Sequence, residues 1–432
     1  MKKVAKFCND LGKILDKKET EMHWKPNDGF RIRNRLLPAF MPAERIPDIK
    51  TINVGCISDY TPDSKAVRLD NGYLPIYVEI TDDTVSIIST ADYIEWCEEA
   101  GNFFYSLEHV EHISLHDIDF KDAQKIDSLF NGDKSLKDVD FKNLINTEDI
   151  YSMTYMFAGC QSIEEIDMSA FKSEWQHVAR AFTGCISLKT VKGMHITHAC
   201  FSLFAMFRNC ESLQEIEGIS NWDVSHVREM NNMFTYCKGL KALDLSGWNT
   251  ERLEEVKKMF YECFDLKEVK GIKGWNVSSL KFTGGMFGHC VSLEAIDLSG
   301  WNTKSLKKTD SMFYGCEQVK SINLNGWKTS RVTSMSCMFE NCKSMEEIDI
   351  STFSTGAVSD MSSMFKGCES LKALGLSRFK LKKCMYINEM FADCRSLNIL
   401  DLTGWELDRC CQKGYVLSNC DSLVFVDTSI FD

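Results

Sequence analysis

Residues 227–248 read VREMNNMFTYCKGLKALDLSGW, and the order of apolar positions in this stretch decides the fold. Val227, Met230, Met233, Phe234 and Cys237 are spaced 3, 3, 1 and 3, which predicts one face of a short helical segment. Leu240, Leu243 and Leu245 then follow an L-x-x-L-x-L pattern, which predicts a short strand with the leucines inward and Asp244 pointing out. One such unit cannot bury its own Met, Phe and Leu side chains, so the pattern requires stacked neighbours of the same kind.

Those neighbours are present. The cysteine phase recurs at Cys160, Cys185, Cys210, Cys237, Cys263, Cys290, Cys316, Cys342, Cys368, Cys394 and Cys420, and two degenerate copies with Asp133 and Leu107 in that phase precede them. The expected architecture is therefore α/β: a leucine-rich-repeat-like solenoid of about thirteen coils over residues 104–432, with a continuous parallel sheet roughly 60 Å long at ~4.8 Å per strand. All six prolines lie before residue 76, and a ladder of hydrogen-bonded strands requires that absence downstream. Residues 1–103 read as a small α+β cap. In it Val4, Phe7, Leu11, Ile14 and Leu15 predict an amphipathic helix, and Arg31, Arg33 and Arg35 form a basic run in an irregular, Pro-interrupted segment. Val67 and Leu69, leading through Asn71-Gly72 into Ile76, Val78 and Ile80, predict a hairpin, with Val85, Ile87 and Ile88 in a third strand.

The formal charge of −12 argues against a nucleic-acid backbone as partner, because that affinity comes from Lys and Arg neutralising phosphates. It favours a protein partner with a basic or neutral contact surface. No run of about 18 apolar residues predicts a membrane span, and the N-terminus does not read as a secretory signal. Nineteen cysteines, an odd number mostly held at one repeat phase, read as reduced thiols buried as small apolar groups in a cytoplasmic protein. Zinc needs four converging ligands, whereas this row runs along the stack, so no metal or cofactor is expected. His109, His112 and His116 fall in the strand and following turn of the first coil and do not converge. No motif with a catalytic mechanism appears, so no catalytic residue is assigned.

Two further rows run along the repeats. The aromatic after each strand, including Phe171, Trp222, Trp248, Trp275, Trp301, Trp327, Phe353, Phe379 and Trp405, reads as a buried stack at the corner. Gly193, Gly218 and Gly271 break the strand pattern and suggest local bulges. The outward strand position carries Asp140, Asp167, Lys192, Glu217, Asp244, Lys270, Asp297, Asn323, Asp349, Gly375, Asp401 and Asp427. Eight of these twelve are acidic, so the row either meets a basic partner or is neutralised locally by Asx-type bonds, which the frequent Asp-x-Ser favours. The candidate partner-binding residues on this face are Asp140, Asp167, Glu217, Asp244, Asp297, Asn323, Asp349 and Asp401.

The pattern V-x-x-M-x-x-M-F-x-x-C-x-x-L-x-x-L-D-L-S-x-W from Val227 resembles the repeats of BspA-like bacterial surface proteins, leucine-rich-repeat relatives of about 26 residues per coil, over about residues 90–432. Ala91 to Leu107 resembles the lead-in segment of such proteins. The resemblance implies an α/β solenoid with binding or adhesion roles, and it supplies no catalytic residues. The expected function is a non-enzymatic protein-binding scaffold, a recognition or regulatory subunit working through its strand face. The alternatives are a surface adhesin whose export signal lies outside this sequence and a sensor or inhibitor in bacterial or phage conflict.

Overall fold

The computed structural model describes residues 4–6, 43–69, 74–96, 101–407 and 411–424. The chain divides into two compact units, Met1–Cys200 with Glu215–Gly218, and Phe201–Gln214 with Ile219–Asp432.

In the first unit a six-stranded sheet has the order Val67–Leu69, Ile76–Ile80, Thr84–Ser89, Thr51–Cys56, His112–His116, Asp138–Lys142. The expected strand pairing is there, with Val67 facing Val78 and Ile80 facing Val85 in antiparallel register, while the Asn71-Gly72 turn lies outside the described residues. Thr51–Cys56 pairs in parallel with Thr84–Ser89 on one side and with His112–His116 on the other, so the N-terminal strands hydrogen-bond directly to the first coils. A second sheet joins Val4–Lys6, Tyr93–Glu95 and Ile118–Asp119, all parallel. Val4–Lys6 is thus a strand where the sequence predicts a helix, because the edge at Tyr93–Glu95 offers its backbone donors and acceptors a ladder that three residues of helix cannot supply. The remainder of that expected helix, and Arg31, Arg33 and Arg35, lie outside the described residues. The unit also holds the parallel set Glu165–Asp167, Thr190–Lys192 and Glu215–Ile216.

The second unit holds three parallel strand pairs: Ala242–Asp244 with Glu268–Lys270, Ala295–Asp297 with Ser321–Asn323, and Ala373–Gly375 with Ile399–Asp401. In each the middle residue is buried and the outer two face away, as the leucine spacing requires. The expected continuous sheet is instead a set of short ones. One interruption has a visible cause. After Glu268–Lys270, Gly271 turns left-handed at φ 81° and a 3-10 turn, Ile272–Gly274, intervenes before Trp275. Gly193 and Gly218 are left-handed as well, so these glycines mark a strand leaving the ladder rather than a bulge within it.

The helical expectation is corrected. Among the described residues the helices are all short 3-10 turns, Ala43–Asp48, Thr147–Asp149, Ile219–Asn221 and Ile272–Gly274, and the α/β class gives way to strands and turns. The segment from Met230 to Cys237 shows why. Met233, Thr235 and Cys237 donate back three residues, to the carbonyls of Met230, Asn232 and Phe234, at 3.0–3.3 Å. Met230, Asn232, Phe234 and Tyr236 donate instead to the next coil, to the carbonyls of Glu255, Lys257, Met259 and Tyr261, at 2.8–2.9 Å. Every second peptide therefore joins two coils, and the left-handed residues Asn232 and Tyr236 reset the chain direction between turns. A helix this short is poorly nucleated and would leave its terminal N–H groups unpaired, whereas the turn column pairs them between coils. The 3, 3, 1, 3 spacing satisfies both geometries, so the apolar face was read correctly and its backbone was not.

The core forms behind this column. Met230, Met233, Phe234, Cys237 and Leu240 are fully buried. Phenylalanines of successive coils stack from Phe207 through Phe234, Phe260, Phe287, Phe313, Phe339 and Phe365 to Phe391, with ring centroids 5.3–6.0 Å apart. In-phase thiols donate to the carbonyl of the preceding coil's phenylalanine, as Cys237 to Phe207, Cys263 to Phe234 and Cys290 to Phe260, each at 3.1 Å. At the other corner Trp222, Trp248, Trp275, Trp301, Trp327 and Phe353 stack at 5.9–6.4 Å and are buried.

Candidate partner-binding face

Asp167, Asp244, Asp297 and Asp401 each end a three-residue strand, so pairing of the strand backbone fixes where their carboxylates stand; Asp140 lies in the middle of Asp138–Lys142, and Glu217 and Asp349 lie outside the strands. The Asp-x-Ser motif then fixes the carboxylate's direction. Oδ1 of Asp167, Asp244, Asp297, Asp349 and Asp401 accepts the N–H two residues on, from Ser169, Ser246, Ser299, Ser351 and Thr403, at 2.8–3.0 Å. Asn323 makes the same bond to the Asn325 N–H at 3.1 Å, so the geometry needs the oxygen and not the charge. The hydroxyls of Ser169, Ser246 and Thr403 and then these peptide N–H groups hold the Asp167, Asp244 and Asp401 carboxyls below the usual carboxylate range, and the Ser351 N–H and then its hydroxyl do the same for Asp349. Asp297 falls to about 2, through the ammonium of Lys273 at 2.7 Å and the Ser299 bonds. The whole set is ionised at neutral pH.

The register sets which residues meet. In the first unit Asp167 lies beside Lys192, which also pairs with Glu165 at 2.7 Å. Asp140 accepts from His116 at 3.0 Å and from Lys142 at 2.6 Å, and these bonds outweigh its partial burial and lower its pKa. Glu217 is exposed just before Gly218 and donates its peptide N–H to Val191. In the second unit Asp244 lies beside Lys270, Asp297 beside Asn323, and Asp401 beside Gly375. Asp349 is exposed and borders an open cleft with Asn323 and Asn325. The structure thus interleaves the acidic row with Lys, Asn and Gly at the paired positions, which removes the like-charge repulsion that an unbroken row would suffer.

Flanking positions carry ion pairs between successive coils, Lys189 with Glu164 at 2.7 Å, Lys238 with Glu211 at 2.8 Å and Lys343 with Glu317 at 2.9 Å. These are exposed, and each contributes on the order of 0–1 kcal/mol. Of the clustered histidines, His112 pairs with Asp138 at 2.6 Å and His116 with Asp140. No group of three or more metal-ligating side chains converges among the described residues. Among the same residues no helix is long and apolar enough to cross a membrane.

Sequence reasoning missed the turn column as a surface, because a helical reading puts no inter-coil hydrogen bonds there. The signal that points to it is the recurrence of Asn, Asp, Ser or Gly in the segments that hold the left-handed turns.

None of the curated proteins matches this chain. Among solved structures the chain is similar to a leucine-rich cell surface protein from Faecalibacterium prausnitzii, at 15% identity over 83% of this chain and 88% of that one, with a TM-score of 0.39. It is similar to a leucine-rich repeat protein from Eubacterium ventriosum, at 15% identity over 82% and 88% with a TM-score of 0.37, and to another from Bacteroides ovatus, at 14% over 84% and 93% with a TM-score of 0.37. Superpositions at this level stand as likeness alone, and the fold rests on the coil's own bonding. The family profile described as Mycoplasma protein of unknown function, DUF285, matches residues 99–199, 176–294, 201–324, 267–346 and 314–425, and the chain belongs to that family.

Proposed function

We propose that this protein is a non-enzymatic protein-binding scaffold, a BspA-like array of about thirteen coils whose strand face recognises a partner with a basic or neutral contact surface. Residues 1–103 cap the first coil and 104–432 form the array. The observation that carries the reading is the Asx bond repeated at Asp167, Asp244, Asp297, Asp349 and Asp401. A carboxylate already held in one direction loses little side-chain entropy on binding, and a row of them presents preset acceptors to Lys, Arg or peptide N–H groups. With Asp140, Glu217 and Asn323 they make up the proposed contact set. A cytoplasmic location is part of the proposal. The thiol column supports it, since in-phase Sγ–H groups serve as donors and that role requires reduced cysteine.

The test uses the substitution that this chain already contains. Because Asn323 keeps the Asx bond without charge, Asp244→Asn, Asp297→Asn and Asp349→Asn combined are expected to leave thermal stability within about 1 kcal/mol of the parent, the upper worth of exposed pairs. Affinity capture from native lysate is expected to recover a protein with the parent chain and lose it with the triple variant. Equal recovery by both would remove the strand face as the site.

A further inference from the structure

The turn column of the second unit carries an open notch of about 520 Å³, bordered by Lys257, Lys258, the Gly284–Gly285 pair and Ser311. Its chemistry follows from one peptide group per coil. Two residues past each inter-coil bridge, the N–H takes no part in the backbone ladder, and several coils supply a side-chain oxygen for it. Asn231 Oδ1 accepts from the Lys257 N–H at 2.7 Å, Asp360 Oδ1 from the Ser362 N–H at 2.9 Å and Asn388 Oδ1 from the Gly414 N–H at 2.9 Å. The oxygen comes either from the same phase of the preceding coil or from the bridge residue itself.

At Gly284 both sources fail, since they are Lys257 and Phe282. At Asp310 they are Gly284 and Lys308, and they fail too. Both peptide donors stand without a protein acceptor among the described residues. In the equivalent coils the N–H of Lys257 and of Gly414 reaches the side chain at this phase of the preceding coil, so the Asp310 N–H corresponds to the space that a side chain at 284 would fill, beside the notch. Backbone geometry does not demand glycine there. Gly284 has no left-handed φ, and an added Cβ would meet only the Asp310 carbonyl oxygen at 3.4 Å, an ordinary contact. Glycine at 284 keeps the notch open.

The charged side chains lining the notch are Lys257, Lys258 and Asp310. Lys257 lies over the Phe282 ring at 4.8 Å, and Lys258 over Tyr261 at 4.9 Å with its stem across Gly285. Of the nearby carboxylates, Glu255 accepts from Lys257 at 2.8 Å and from Asn231 at 2.9 Å, and Asp310 Oδ1 is turned towards the next coil, where it accepts from the hydroxyls of Ser334 and Ser336. Peptide N–H groups converging on a concavity beside lysines make an oxyanion site. We propose that this notch binds a small oxyanion, a phosphate or a carboxylate, with the peptide N–H groups of Gly284 and Asp310 donating to its oxygens and Lys257 and Lys258 balancing its charge.

The full chain labelled with 15N-glycine tests this by titration with inorganic phosphate, acetate and, at matched ionic strength, chloride. The Gly284 amide signal, identified by its loss in Gly284→Asn, is expected to shift to saturation with phosphate, acetate or both, and not with chloride. Saturation by phosphate alone assigns a phosphate ligand, and by acetate alone a carboxylate. Lys257→Gln should weaken binding about tenfold, the loss of one charge-assisted contact. Gly284→Asn, which places an amide oxygen where Asn231 and Asn388 carry theirs, should abolish the saturable shift of the Gly285 amide without lowering Tm. A shift that chloride reproduces, or one that both variants leave intact, overturns the proposal.

Discussion

Asp133 occupies the phase that eleven later coils give to cysteine, and the exchange of a thiol for a carboxyl has a cost. The side chain is fully buried, Oδ1 accepts the Leu107 N–H at 2.7 Å, and Oδ2 has no partner. Burial pushes its carboxyl well above the usual range, against the lowering effect of the Leu107 bond. An unfolded Asp releases its proton near about 3.9. Between that value and the raised one the folded chain holds a proton that the unfolded chain has lost, so stability falls as pH rises through the window. Asp133→Asn keeps the acceptor and replaces the unpaired oxygen with a donor. It is expected to raise stability by about 1–3 kcal/mol at pH 7, with the gain shrinking towards pH 4 in urea titrations; a pH-independent difference would detach the cost from ionisation. The sequence placed Asp133 in the cysteine phase, which reads as a buried position, but its bond to the Leu107 N–H and its unpartnered Oδ2 are visible only in the structure.

The elements of this fold are rows rather than segments, and their energetics are read by comparing equivalent members. Trp301 Nε1 donates to the Ile272 carbonyl at 2.8 Å, whereas Trp275 Nε1 is buried with no partner. Both rings stack alike, at 5.9–6.3 Å from their neighbours. Trp301→Phe should therefore cost about 1 kcal/mol more than Trp275→Phe, the net worth of one hydrogen bond, with equal losses in urea denaturation counting against it. Gly271 is the break between strand pairs, and a Cβ there would stand 2.3 Å from Ser246 Cα with φ held at +81°. Gly271→Ala is expected to destabilise by roughly 2–4 kcal/mol, from left-handed strain plus overpacking, and an unchanged urea midpoint would mean that the coil shifts freely. Gly271 was legible as a break in the pattern. The 3-10 turn that follows it was not, since Ile272–Gly274 carries no capping signal.

For the molecule taken whole, the thiols give the broadest check. The in-phase cysteines from Cys160 to Cys394 are buried, Cys420 is half-buried, and the half-buried Cys56 and Cys337 have thiols pushed up to about 12, first by burial and then by neighbouring carboxylates. Thiolate is the reactive species, so a disulfide reagent at pH 8 should react slowly with the sixteen cysteines among the described residues of the native chain and reach them all only in denaturant. Fast native labelling of many thiols would contradict the buried column. By itself the sequence determined the period, the inward positions and the role of cysteine as a small buried group, and it favoured the Asx bonds at Asp-x-Ser, because each follows from spacing within one coil. Only the tertiary structure decided that the apolar segment is a column of turns, that Val4–Lys6 joins a sheet, which members of the outward row stand side by side and that Gly284 leaves peptide donors open. Each of these depends on which peptide group of one coil meets which group of the next, a register that the repeat period constrains but does not specify.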